Sequence, residues 1–135
     1  MRTGVVAGSV CPEALVRKMY SDLNLMGLSN VYGMTELSPV TTMMGPSTPF
    51  EKKATTVGHC GPMTEIKCID DEGNIVPVGE KGEVCVRGYL TMLKYWNDHD
   101  KTQETIKDGW VHSGDIGIID NEGFLSIVGR SKDMI

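Results

Sequence analysis

Asn30-Val31-Tyr32-Gly33-Met34-Thr35-Glu36 closes an apolar run and then turns abruptly polar. Leu28-Ser29-Asn30-Val31-Tyr32 reads as a short strand that ends at Gly33. Upstream, Leu15, Val16, Met19, Tyr20 and Leu23 recur at steps of three and four, which predicts an amphipathic helix over about residues 12–24, with Pro12 in its first turn. Earlier still, Val5 and Val6 lie between Gly4 and Gly8 as a short strand of the buried type. Strand, helix, strand is α/β wiring, and ligands of such folds collect at the carboxyl ends of the strands. The heptad occupies such an end and carries groups suited to a nucleotide. Tyr32 offers a flat ring, and Gly33 lacks a Cβ where a ligand could approach the backbone. Thr35 supplies a hydroxyl for a phosphate oxygen, and Glu36 a hard carboxylate of the kind Mg²⁺ takes. On its own residues the heptad is equally a strand running into a turn, with Tyr32 in the core.

Downstream the pattern changes. Residues 37–56, with Pro39, Pro46, Pro49 and several Ser and Thr, read as loop. Thr64–Asp70 and Gly82–Arg87 alternate as strands, Asp98–Lys107 is compatible with a helix, and Trp110-Val111, Ile116–Ile119 and Phe124–Val128 follow as strands. Two turns resemble each other, Asp70-Asp71-Glu72-Gly73 and Asp120-Asn121-Glu122-Gly123. Their flanks do not match, so shared turn chemistry explains them better than an internal repeat. The second part is therefore a small, mostly antiparallel β unit.

The 135 residues suffice for one domain with a core. A net charge of -5 with no basic stripe argues against nucleic acid as a partner. No apolar stretch approaches the roughly 20 residues of a membrane-spanning helix, and residues 1–10 lack the apolar core of a secretory signal. The four cysteines, Cys11, Cys60, Cys68 and Cys85, form no Cys-x-x-Cys pair and have no metal-ligand spacing with His59, His99 or His112, so a zinc site is not expected. A reduced, intracellular chain is the expectation.

Ser113-Gly114-Asp115 puts a carboxylate after a glycine, at a tight backbone corner where it can accept from two vicinal hydroxyls; equally, the Asp can cap the turn. Arg130 follows Gly129 and is suited to a phosphate, a ribose oxygen or Asp115 itself. His112 beside Ser113 does not make a hydrolase pair, because neighbours in a strand point to opposite faces, and no Gly-x-Ser-x-Gly elbow is present. In residues 82–96 the glycines and aromatics fit strand ends and packing. The nine methionines read as core filler, although Met34, Met43 and Met44 adjoin the heptad and could wall an apolar substrate.

Taken in order, these motifs resemble the adenylate-forming superfamily of acyl-CoA synthetases, peptide-synthetase adenylation domains and luciferases. Asn30–Glu36 looks like its Tyr-Gly-x-Thr-Glu signature, and Gly82–Leu90 like its Gly-Glu segment. His112–Asp115 is similar to its Thr-Gly-Asp, with Ser113 for Thr, and Gly129-Arg130-Ser131-Lys132-Asp133 resembles its hinge. Gly129–Ile135 with Tyr95-Trp96 looks most like the medium-chain fatty acyl-CoA ligase branch.

The resemblance implies an α/β fragment of the large adenylate-forming domain. Residues 1–56 would end its α/β adenylate-binding part, 57–129 would form a β-barrel-like subdomain, and 130–135 would begin a hinge. It implies an acid–thiol ligase that activates a fatty acid with ATP and Mg²⁺, releases pyrophosphate, and passes the acyl group from AMP to coenzyme A. By position, Thr35 would contact the α-phosphate, Glu36 would hold Mg²⁺, and Tyr32 with Gly33 would lie against adenine, aided by the backbone around Gly8 and Ser9. Asp115 and Arg130 would hold the ribose hydroxyls, and Lys132 would be the hinge residue. The family's phosphate loop and catalytic C-terminal lysine are not among these residues, so the chain reads as a fragment expected to be inactive alone. The branch further suggests a mitochondrial address. An adenylation domain, a luciferase-like enzyme, or a non-catalytic nucleotide-binding module on the same scaffold are the alternatives.

Overall fold

The computed structural model describes residues 2–9 and 11–131. Strand β1 (Thr3–Val6) runs into helix α1 (Glu13–Leu23), which returns the chain to β2 (Gly27–Asn30). The strands pair in parallel, from Thr3 opposite Gly27 to Val6 opposite Asn30. Both carboxyl ends therefore lie at one edge, with Ala7-Gly8-Ser9 beside Val31-Tyr32. Asn24 ends α1 in the left-handed region (φ 51°), a conformation Asn tolerates better than most residues.

The expected strand-helix-strand unit forms, but its burial is thinner than its sequence predicts. Val16, Leu25, Leu28 and Ala54 make a small core, whereas Leu15 and Leu23 are about half exposed, 49% and 52%, and Val5 is 69% exposed. A two-stranded sheet with one helix has only one covered face. The Val5 side therefore lacks a covering layer among the described residues, and Val5 is not the buried strand residue its apolar run suggests.

Residues 37–56 are more ordered than the expected loop. Thr35–Leu37 is a 3₁₀ turn, Thr42–Met43 forms β3, and Phe50–Thr55 forms a short helix α2 behind Pro49. Six residues are too few for helical periodicity to appear, so contacts from elsewhere stabilise α2. Phe50 stacks on Tyr20 with ring centroids 4.3 Å apart, Arg17 pairs with Glu51 at 2.6 Å, and Ala54 enters the small core.

The remainder is an antiparallel sheet curled into an open half-barrel. After β4 (His59–Cys60), which pairs with β3, come β5 (Thr64–Ile69), β6 (Lys81–Gly88), helix α3 (His99–Thr105), β7 (Ile106–Lys107), β8 (Trp110–Ile119) and β9 (Leu125–Arg130). β6 lies between β5 and β8, while the other edge of β8 is shared by β7 near its start and β9 towards its end. Asp98 caps α3 by accepting from the Lys101 amide at 3.0 Å. The two similar turns do share chemistry. Asp70 Oδ1 accepts from the Glu72 and Asn74 amides, and Asp120 Oδ1 from the Glu122 and Phe124 amides, all within 3.0 Å.

Val84, Val86 and Val111 are fully buried and Leu125 is 1% exposed. Tyr32 and Leu37 pack into this same cluster, so the heptad is seated in the half-barrel although it follows β2 in the chain. Cys68 and Cys85 are buried in β5 and β6, and burial pushes their thiols up to about 11 and about 12.

Candidate functional site

The site is built where the end of the strand-helix-strand unit meets β8 and β9. Gly33 comes first, because the chain doubles back immediately after it. A Cβ on Gly33 would lie 1.8 Å from the Pro39 carbonyl oxygen. The glycine is thus required by the protein's own returning backbone. That return is closed by the Thr41 and Thr42 amides, which both donate to the Tyr32 carbonyl, at 2.8 and 3.0 Å. Leu37, with no exposed surface, anchors the 3₁₀ turn in the half-barrel core, while Thr35 stays exposed and Glu36 half-buried.

Tyr32 is 9% exposed, so most of its ring belongs to the core; what it presents is its hydroxyl. The phenol donates to Asp115 Oδ2 at 2.8 Å, across 83 residues of sequence. Burial first, and then the Asp115 carboxylate, raise the phenol well above its ordinary pKa, so the group remains a donor. Asp115 Oδ1 faces the Arg130 guanidinium at 3.3 Å, since the two residues are directly opposed in the β8/β9 register. The Asp115 side chain is 13% exposed and that of Arg130 is 74% exposed. A carboxylate has about four lone-pair positions. With two taken by Tyr32 and Arg130, Asp115 retains acceptor capacity for a pair of vicinal hydroxyls, and the donor set fits a ribose.

β8 does not break at Ser113-Gly114-Asp115 as the expected corner would require. It is one ten-residue strand, and the distortion is taken up by Gly114 at φ 72° and by register shifts against β6 and β9. Glu83 supports this bulge: Oε1 accepts from the Gly114 amide at 3.1 Å, and Oε2 lies 2.9 Å from His112 Nδ1. The Ser113 hydroxyl donates to the Val84 carbonyl at 2.7 Å and accepts from the Asp115 amide at 3.0 Å. These contacts aim Asp115 at Tyr32 and give the hydroxyl at position 113 a backbone-shaping role.

Glu83, Cys85 and His112 also bring three metal-ligand types within 4.8 Å of one another, an approach that linear spacing did not predict. The signal was the strand register, which puts Cys85 opposite His112. Both Glu83 oxygens already face protein donors, so the group reads here as the brace behind Asp115. An open cavity of about 700 Å³ lies against Lys67, Trp110 and His112. Tyr32, Glu36 and Asp115 do not line it.

Glu36 has a partner that sequence reasoning assigned only to packing. The Tyr95 hydroxyl donates to Glu36 Oε1 at 2.6 Å, and the Met92 amide donates to the Glu36 carbonyl at 2.8 Å. Oε2 takes no hydrogen bond among the described residues, and the Thr35 hydroxyl is likewise uncommitted. An open carboxylate oxygen beside an exposed hydroxyl is a donor set that fits Mg²⁺ and phosphate. Gly8 (φ 92°) and Ser9 are exposed at the end of β1, with open space around Gly8. Lys132 lies outside the described residues.

Residues 1–96 match the family model described as AMP-binding enzyme. The chain is 46% identical over 137 residues to the medium-chain acyl-CoA ligase ACSF2, mitochondrial, of Bos taurus, covering 100% of the chain and 22% of that protein. It is 40% identical over 140 residues to the acyl-CoA ligase sidI of Aspergillus fumigatus, covering 100% of the chain and 24% of that relative. The structure of the anthranilate CoA ligase AuaEII in complex with anthranoyl-AMP superimposes with a TM-score of 0.90 at 29% identity, over 99% of this chain and 25% of that one. The chain thus spans less than a quarter of the length of these curated relatives. With a family model matched over most of its length and the same fold in a ligase of this kind, the chain belongs to the AMP-binding enzymes, the adenylate-forming superfamily.

Proposed function

We propose that these residues form part of an ATP-dependent acyl-CoA synthetase that activates a medium-chain fatty acid and transfers it to coenzyme A. The observation that supports this reading is the contact of Asp115 with Tyr32, which follows β2 and leads into Thr35 and Glu36, and with Arg130 on its other oxygen.

Asp115 accepts from the two ribose hydroxyls, Tyr32 fixes that carboxylate, and Arg130 guards its outer side. Gly8, Ser9 and Gly33 contribute the backbone that borders the base. Thr35 donates to the α-phosphate, and Glu36 holds Mg²⁺, which offsets the charge that builds on phosphate oxygens when a carboxylate attacks. Lys132 serves as the pivot about which a smaller domain turns between the two half-reactions. Residues 1–56 end the α/β part, 57–129 form the β subdomain, and 130 onwards begin the hinge. The mitochondrial address in the bovine relative's name is carried over as part of this proposal.

The test is thioester formation by the full-length protein across straight-chain acids of increasing length. The reading expects a maximum at medium chain lengths and a dependence on both ATP and coenzyme A. A maximum outside the medium-chain acids, or no thioester with any acid, sinks it. In the same protein, combined Asp115→Ala and Thr35→Ala substitutions should weaken AMP binding by more than about a hundredfold, the low end for two hydrogen bonds to charged groups; unchanged AMP binding would favour a domain without a nucleotide site.

A further inference from the structure

The loop from Tyr89 to Asn97, between β6 and α3, grips Glu36 at two points. Its Met92 amide holds the Glu36 carbonyl at 2.8 Å, and its Tyr95 phenol holds Glu36 Oε1 at 2.6 Å. Tyr95 is fixed in turn. Its amide donates to Thr102 Oγ1 at 3.0 Å, the Thr102 hydroxyl donates to the Asp98 carbonyl at 2.7 Å, and the Lys101 ammonium lies 4.4 Å from the Tyr95 ring centroid. The start of α3, itself capped by Asp98, thereby holds the phenol in one place.

A free glutamate has three rotatable bonds and loses that freedom when it binds a cation. Here the backbone and one carboxylate oxygen are already fixed by a single loop, and the second oxygen is left open. Donation to Oε1 also disfavours a bidentate grip, so the carboxylate offers one oxygen, the mode in which Mg²⁺ keeps its octahedral shell of waters and phosphate oxygens.

We propose that Tyr95 is a positioning residue for metal binding: through its hydroxyl it presets Glu36 to receive Mg²⁺ through one oxygen, which couples the β6–α3 loop to the nucleotide site. This rests on the reading of Glu36 as the metal-binding carboxylate.

The test uses the full-length protein and the variants Tyr95→Phe, Glu36→Gln, the double variant, and Trp96→Phe as a neighbouring control at an exposed position. Two quantities are read: the Mg²⁺ concentration giving half-maximal thioester formation at saturating ATP, and Mn²⁺ binding followed by electron paramagnetic resonance with a non-hydrolysable ATP analogue. Tyr95→Phe should raise both midpoints by about fivefold to tenfold, the scale of one ordinary net hydrogen bond, while kcat at saturating Mg²⁺ changes by less than about twofold. Trp96→Phe should leave both unchanged, and Tyr95→Phe should add nothing in the Glu36→Gln background.

Unchanged midpoints in Tyr95→Phe with a clear shift in Glu36→Gln overturn the positioning role alone. A Tyr95→Phe shift that persists in the Glu36→Gln background overturns it too, because the effect would then run through the fold. If Glu36→Gln leaves metal dependence unchanged, the metal role of Glu36 fails and the role of Tyr95 falls with it. A thermal melt of each variant separates these outcomes from a loss of folding.

Discussion

Gly33 and Tyr32 are adjacent, yet they work through different physics. At Gly33 the constraint is volume, because the Pro39 carbonyl occupies the space a side chain would take. Gly33→Ala must move the 39–41 backbone, and we expect a loss of about 2–3 kcal/mol of stability, at the upper end of overpacking costs, measured as a fall in urea midpoint. At Tyr32 the constraint is a hydrogen bond. Tyr32→Phe keeps the ring packed among the core residues and removes only the donor to Asp115. The expected outcome in the full-length protein is an ATP KM raised by about tenfold with a melting temperature shifted by only a few degrees. A collapse of the fold, with nucleotide affinity intact in the remaining folded fraction, would contradict this assignment.

At the scale of elements, β8 and the turn after it carry the argument. The bulge at Gly114 is held by Glu83 from the neighbouring strand, and the Glu83 and His112 side chains are 27% and 18% exposed. Glu83→Ala leaves the Gly114 amide and the His112 ring without their acceptor. We expect a destabilisation of about 1–3 kcal/mol together with weaker AMP binding, which calorimetry on the full-length protein would detect. The β8–β9 turn makes a different prediction. Burial pushes the Asp120 carboxyl up, but Lys52 at 2.6 Å and the amides of Phe124 and Glu122 outweigh it and hold the group below the usual carboxylate range. A depressed folded pKa contributes stability above the unfolded value of about 3.9 and loses it as pH falls through the folded value. The wild-type protein should therefore lose more stability between pH 6 and pH 3 than Asp120→Asn does, in urea melts at each pH. Equal acid sensitivity would show that the Lys52–Asp120 pair adds nothing to the folded state.

For the whole molecule, the two cores differ in thickness. β6 and β8 are central in the half-barrel, with fully buried valines, whereas β1 and β2 form a two-stranded sheet whose Val5 side chain is largely exposed. Hydrogen exchange in the 135-residue chain should follow that contrast. The amides of Val84, Val86 and Val111 should exchange slowest and those of β1 and α1 fastest, because local opening takes less free energy where few apolar contacts are lost. Uniform protection across both parts would show that they open as one cooperative unit.

Much of this was legible in the linear chain wherever a signal is local. The period of α1, the alternation of β5 and β6, the two Asp-led turns and the helix within Asp98–Lys107 depend on neighbours within a few residues, and the structure has all of them. The order of the motifs placed the chain in its family for the same reason, since each motif is a short segment with its own backbone requirement. What the chain could not show is long-range. α2 forms because Tyr20 and Arg17 meet Phe50 and Glu51, and the continuity of β8 through Gly114 depends on Glu83 in another strand. The returning Pro39 backbone, not an approaching ligand, accounts for Gly33. Asp115 was visible as a candidate carboxylate, but its contact with the Tyr32 hydroxyl joins residues 83 positions apart, and Tyr95 reaches Glu36 across 59. Sequence determined which groups are available and the local shapes that carry them; the tertiary structure decided which groups meet, because side-chain hydrogen bonds act over about 3 Å and only the folded chain brings such distant residues that close.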